Sequence, residues 1–155
     1  MDLAKNLKIE SISRLNLPAP LVLTARDPVR RAVQLMQKQH MGCLLVCQDH
    51  QVVGIFTERD LLKRVIAANR PLDTPLGECM TPNPVTVNDK EAIGLALRRM
   101  QEGGYRHLPV VDRAGHPIGM LSVKRIVRYL VEHFPATVYN QPPDPDVVQK
   151  DRDGA

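Results

Sequence analysis

The chain has 155 residues, 43% hydrophobic and 25% charged, with a formal net charge of +4, which is the balance of an ordinary globular protein and not of a disordered tail. No run approaches the ~18 to 20 consecutive apolar residues of a spanning helix, and Met1 to Glu10 lacks a basic n-region and an apolar h-region, so no membrane partner is expected and the expected compartment is the cytoplasm. Basic residues are scattered in pairs such as Arg30 with Arg31 and Arg98 with Arg99, Trp is absent, and there are two Phe and three Tyr; no nucleic-acid arm or stacking platform is visible, and the charge suits a small anionic ligand better than a duplex.

In chain order, residues 1–10 form an N-terminal segment in which Leu3 and Leu7, with Ile12 beyond, have the spacing of one short amphipathic helix. The lead Leu15-Asn16-Leu17-Pro18-Ala19-Pro20-Leu21 is extended, because each proline lacks an amide donor and biases its predecessor away from helix. Val29, Ala32, Val33 and Met36 then make an i, i+3, i+4, i+7 stripe, which predicts a helix. Cys43 to Cys47 and Val52 to Phe56 read as two strands joined at Asp49-His50-Gln51, and Glu58 to Ala68 as a second helix. A short linker lies around Asn69 to Thr74.

The same series then recurs. A displacement of 64 places Pro18 on Pro82 and Pro20 on Pro84, and carries the helical stripe onto Ile93, Ala96, Leu97 and Met100. After one inserted residue, Gly54-Ile55-Phe56-Thr57 falls on Gly119-Met120-Leu121-Ser122. Strands are expected at His107 to Val111 and Ile118 to Leu121, and a helix at Val123 to His133. The expected domains are therefore repeat 1 at 11–70, linker and repeat 2 at 71–134, and a disordered Pro-rich tail at 135–155. Cys43, Cys47 and Cys79 are an odd number of thiols in a chain able to bury a core without disulfides, so they are expected to be reduced and mostly buried. Cys43 and Cys47 share a strand face as core thiols, and no spaced Cys/His cluster points to a metal.

The chemistry-bearing stretch is Gly54-Ile55-Phe56-Thr57-Glu58-Arg59-Asp60. Thr57 stands where a strand gives way to a helix and Asp60 lies three positions on, the spacing of a capping box. The same arrangement offers a hydroxyl and free amides to an anion, and a carboxylate whose two oxygens suit a ribose diol. Both readings stand on the residues alone. No arrangement of nucleophile and oriented base is visible, so no catalytic residue and no enzyme activity are expected.

The repeated Gly-x-x-Thr/Ser ending, His107-Leu108-Pro109-Val110-Val111-Asp112, and Met80-Thr81-Pro82-x-Pro84-x-Thr86-Val87 resemble a tandem CBS-domain pair, the Bateman module, over roughly Ser11 to Phe134. The resemblance implies an α+β fold of two β-α-β-β-α units packed by their sheets about a pseudo-twofold axis, further association as a homodimer, and an adenosyl ligand, most often AMP, ADP or ATP, in clefts between the units. It implies that Asp60 takes the ribose and Thr57, helped by Arg59, the phosphate, with Ile55 on the wall. Met80, Thr81 and Val85 would approach the adenine, Tyr105 would offer side chain and backbone, and Arg106 with His107 would reach toward the phosphates. In the second cleft Ser122 keeps the hydroxyl, but Arg125 stands where the aspartate would be and cannot accept from a diol. The implied role is regulatory, through an unidentified effector protein acting in trans. The alternatives are a structural or interaction module that has lost its ligand, or S-adenosylmethionine or NAD in place of the nucleotide.

Overall fold

The computed structural model describes Lys5 and residues 10–133; the expected helix at Leu3 and Leu7 and the Pro-rich tail lie outside these. The first repeat runs β1 (Val22–Leu23), α1 (Val29–Gln39), β2 (Cys43–Gln48), β3 (Gln51–Thr57) and a single α-helical turn, α2 (Glu58–Asp60). The chain continues from α2 as a wider π-helix, Leu61–Ile66, where one α-helix was expected. The amides of Ala67 and Arg70 reach back five residues to the carbonyls of Leu62 and Val65, and Arg64 in this stretch is held by Asp60 one turn earlier and by the carbonyl of Met80. The second repeat runs β5 (Val87–Asn88), α3 (Ile93–Gly103), β6 (His107–Val111), β7 (Pro117–Ser122) and α4 (Val123–His133).

In each repeat the first strand lies parallel to the second, Val22 opposite Leu45 and Val87 opposite Val110, so a helix must make the crossover. The apolar stripes of α1 and α3 supply it by burying Val29, Ala32 and Met36, and Ile93, Ala96 and Met100. Both helices stop in the left-handed conformation at equivalent positions, His40 (φ 52°) and Gly104 (φ 69°), where glycine costs least. The β2–β3 hairpin turns on Asp49 and His50, both at positive φ (51° and 64°), the requirement of a tight primed turn. The β6–β7 turn is longer, and there Asp112 Oδ1 accepts from the amides of Ala114 and His116, each at 2.9 Å. The one-residue offset between the repeats falls in these turns.

The leads of the two repeats are exchanged. Ile12–Arg14 forms a 3₁₀ turn, yet Ile12 and Leu15 are buried with Val87, Ile93, Met100, Leu108 and Ile126 in the core of the second repeat. Its backbone agrees, with Ile12 N donating to Glu91 O and Ile93 N to Glu10 O, both at 2.9 Å. Reciprocally, the 3₁₀ turn Leu76–Glu78 places Leu76 and Cys79 in the first core with Val29, Leu44, Phe56 and Val65. Its Leu76 N donates to Asp27 O and Gly77 N to Ala25 O, both at 2.9 Å. The next residues form β4 (Thr81–Pro82), which adds antiparallel to β3 and makes the first sheet β1-β2-β3-β4; the second is β5-β6-β7.

The sheets meet through Cys43, Leu45, Cys47, Ile55 and Met120. Ile55 and Met120 occupy equivalent positions of the two repeats, so this contact marks the pseudo-twofold relation. The cysteines are free and buried. No helix among the described residues is long and apolar enough to cross a membrane.

Candidate functional site

The polar side chains that the sequence singles out converge at the end of β3. Thr57 caps the helix that follows: its Oγ1 accepts from Asp60 N at 3.2 Å while Asp60 Oδ2 accepts from Thr57 N at 3.0 Å, a reciprocal capping box. Thr57 Oγ1 in turn donates to Oδ2 at 3.1 Å. Asp60 is only 6% exposed, and a carboxylate taken this far from water needs donors. The other oxygen, Oδ1, accepts from Thr81 Oγ1 at 3.0 Å and lies 3.5 Å from Arg64 Nε. Arg64 Nη1 also donates to Met80 O at 2.7 Å.

Thr57, Asp60, Met80 and Thr81 thus form one bonded cluster, drawn from the first repeat and from the exchanged lead of the second. Thr81 puts its hydroxyl on the carboxylate. Arg64 is a member that the sequence reading passed over, although its place four residues after Asp60 on a helix is a pairing distance. Met80 packs on Gly54, where a Cβ would collide with Met80 Sδ; the glycine lets the lead approach β3. Ile55 is 7% exposed and sits in the contact between the sheets, deeper than the wall of an open cleft.

The other positions lie apart from that cluster. Val85 and Tyr105 are exposed, and the Tyr105 ring lies over Gly103. Arg59 and Arg106 are exposed and His107 is half-buried, opposite Ser122 in the β6–β7 register. Among the described residues no hydrogen bond or ion pair joins Arg59, Val85, Tyr105, Arg106 or His107 to Asp60. Of these, His107 feels the charge of Glu58, beside Thr57. Burial lowers the His107 pKa from its ordinary value, opposed by the charge of Glu58 and assisted by Arg106. The same Glu58 adds to the burial that pushes the Cys43 thiol up to about 11. The Glu58 carboxylate lies beside Gly42 of its own repeat, and its charge reaches His107 of the other.

The equivalent junction of the second repeat is half built. Ser122 Oγ accepts from Arg125 N at 3.1 Å, but a guanidinium cannot return the bond that Asp60 returns. At the opposite end of the strands, a groove of about 840 Å³ is lined by residues including Leu23, Asp27, Arg31, Cys47, His50 and His116. Its Asp27 is already bonded to Thr24 N at 2.7 Å and paired with Arg31 at 2.8 Å. Among the described residues no group of three His, Cys, Asp or Glu side chains is disposed to hold a metal ion.

Two tandem α+β units with exchanged leads, each ending in a capped strand-to-helix junction, define a paired-repeat protein. The chain belongs to the CBS domain family, whose model matches residues 12–67 and 76–132, a tandem pair. It is 30% identical over 122 residues to an uncharacterized 17.7 kDa protein of Acidianus ambivalens, covering 78% of this chain and 73% of that one. It also matches a CBS domain-containing protein of Arabidopsis thaliana, CBSCBSPB2, of which it spans 20% of the length. Among solved structures, an uncharacterized conserved protein from Pyrococcus horikoshii superposes with a TM-score of 0.72 at 25% identity, covering 93% of this chain and 98% of that one. A CBS domain protein from Pyrobaculum aerophilum complexed with AMP superposes with a TM-score of 0.71 at 25% identity, covering 79% and 99%.

Proposed function

We propose that this chain is a non-catalytic regulatory module that binds an adenosyl nucleotide, AMP, ADP or ATP, between its repeats and passes the occupancy to an effector protein in trans. The observation that carries this reading is the buried Asp60 carboxylate, set at a strand-to-helix junction among donors from both repeats. The AMP complex of the Pyrobaculum aerophilum relative supports the ligand class. In this reading Asp60 receives the ribose diol. Arg59, Arg106 and His107 favour a phosphorylated ligand over the sulfonium of S-adenosylmethionine, and Val85 and Tyr105, both exposed, are free to meet the adenine. The second junction takes no ribose, because Arg125 offers only donors.

The test is a thermal-shift panel of AMP, ADP, ATP, S-adenosylmethionine and NAD on wild type and on Asp60→Asn. Asparagine is preferred to alanine because Asp60 is also a helix-capping residue; its side-chain oxygen still accepts from Thr57 N. Ligand at ~100 times its dissociation constant adds ~2.7 kcal/mol, and each kcal/mol moves the midpoint of a chain this size by ~2 to 4 °C. The expected result is a rise of roughly 5 to 11 °C with a phosphorylated adenosyl ligand, lost in Asp60→Asn. A larger rise with S-adenosylmethionine or NAD would reassign the ligand. No rise with any of the five at millimolar concentration would leave a structural module as the reading.

A further inference from the structure

Asp60 has more partners than a receptor for a diol can keep. A carboxylate offers about four acceptor directions, and four contacts are already directed at them: Thr57 N at 3.0 Å and Thr57 Oγ1 at 3.1 Å on Oδ2, Thr81 Oγ1 at 3.0 Å and Arg64 Nε at 3.5 Å on Oδ1. The two on Oδ2 are local and close the capping box. Of the two on Oδ1, Thr81 comes from the second repeat's lead and Arg64 from the next helical turn, and Arg64 uses its second nitrogen to hold Met80 O at 2.7 Å. Thr81 and Met80 lie side by side in the chain, so both bonds fasten one short segment to the helix that begins at Glu58.

The segment's other ties are few: Met80 N donates to Leu76 O at 2.8 Å and Asn83 N to Val53 O at 3.0 Å, and the Met80 side chain packs against the first core. Strand β4 is two residues long and lies at the edge of its sheet, opposite only Gly54 and Ile55; one of its residues, Pro82, has no amide to donate. Upstream, Leu76 and Cys79 are fully buried anchors; downstream, Pro82 and Asn83 are exposed and lead toward the second repeat. The next ties downstream are Asn83 N to Val53 O at 3.0 Å and Arg99 Nη1 to Thr86 O at 3.1 Å, so a change at Thr81 is absorbed between Met80 and Thr86.

Resting on the adenosyl reading above, we propose that Thr81 and Arg64 form a latch on Asp60 that the ribose diol must open, so that ligand occupancy is coupled to the release of β4 from the first sheet. A diol hydroxyl donates to Oδ1 in place of Thr81 Oγ1, and the freed Thr81 hydroxyl, half-buried at a sheet edge, passes to water. The number of hydrogen bonds to the carboxylate is conserved, while the direct bond between Asp60 and Thr81 is lost and Arg64 Nη1 on Met80 O is left as the remaining side-chain bond to the lead. The ligand thus discriminates between a latched and an unlatched state, which is the condition for any population shift.

The experiment is amide hydrogen exchange and AMP-binding calorimetry on wild type, Thr81→Val, Thr81→Ser and Arg64→Gln. Valine keeps the β-branch and removes the hydroxyl; serine keeps the hydroxyl. Without ligand, residues 79–86 are expected to exchange roughly tenfold faster in Thr81→Val and in Arg64→Gln than in wild type, the loss of one hydrogen bond to a charged group, and to stay near wild type in Thr81→Ser. AMP is expected to speed exchange of the same segment in wild type and to bind Thr81→Val roughly tenfold more tightly, since its competitor is gone. Weaker AMP binding by Thr81→Val, or protection of 79–86 by AMP in wild type, would make Thr81 a ligand contact and overturn the latch. If no adenosyl ligand binds wild type, the nucleotide reading and the coupling fall together, and the ligand-free contrast between valine and serine separately reports whether Thr81 holds β4.

Discussion

Asp60 and His107 show how one side chain can be explained locally and still acquire its character from the other repeat. The capping box is readable from Thr57 and Asp60 three apart, but the third partner, Thr81, arrives from a segment 21 residues further along. His107 is lowered in pKa chiefly by burial. A histidine with a folded pKa below its unfolded value stabilises the fold above the unfolded pKa, and that contribution is lost as pH falls through the folded one. Urea unfolding of wild type should therefore lose more stability than His107→Gln between pH 8 and pH 5. Equal losses would mean that the imidazole has the same pKa folded and unfolded, the charge of Glu58 offsetting its burial.

The exchanged leads are the finding at the scale of elements. Residues matched as the start of the first CBS domain, from Ile12, pack into the second core, and Leu76, at the start of the second, packs into the first. Truncating a fully buried isoleucine to alanine costs ~2 to 5 kcal/mol, the spread reflecting how far the site collapses. Ile12→Ala is expected to cost that much, with the fastest rise in hydrogen exchange in α3, β6 and α4, not in the neighbouring β1 and α1. A rise confined to residues 22–39 would contradict the exchange. The reciprocal packing also makes each core depend on chain from outside its own repeat, so the two repeats should unfold as one cooperative unit.

At the scale of the molecule, two equivalent helical positions carry apolar side chains outward. Leu62 and Ile66 are 59% and 58% exposed, and Val127, the repeat counterpart of Leu62, is 52% exposed. Single exposed apolar residues are ordinary, but Leu62 and Val127 are related by the pseudo-twofold of the pair, and an apolar patch covered by its own copy about a twofold axis is how a homodimer interface is built. Wild type is expected to sediment with a concentration-dependent dimer that is absent in Leu62→Glu combined with Val127→Glu, and the double substitution is expected not to lower thermal stability by more than the loss of association accounts for. A wild type that sediments as a monomer at high micromolar concentration would rule out association through this face.

The sequence by itself determined whatever depends on spacing within one repeat. The 3.6-residue stripes of α1 and α3, the apolar strand runs, the capping residues and the 64-residue displacement specify a duplicated α+β unit, because each is a local periodicity that must bury one face. It also located Thr57 and Asp60, since a capping box is a three-residue relation. Only the tertiary structure decided that the leads cross over, that Ile55 is buried against Met120, and that Thr81 and Arg64 share Oδ1 of Asp60. A 3₁₀ turn and a two-residue strand containing a proline have no period to read. Their place is chosen by which core can bury Ile12 or Leu76, a comparison between distant surfaces that exists only once both repeats have folded.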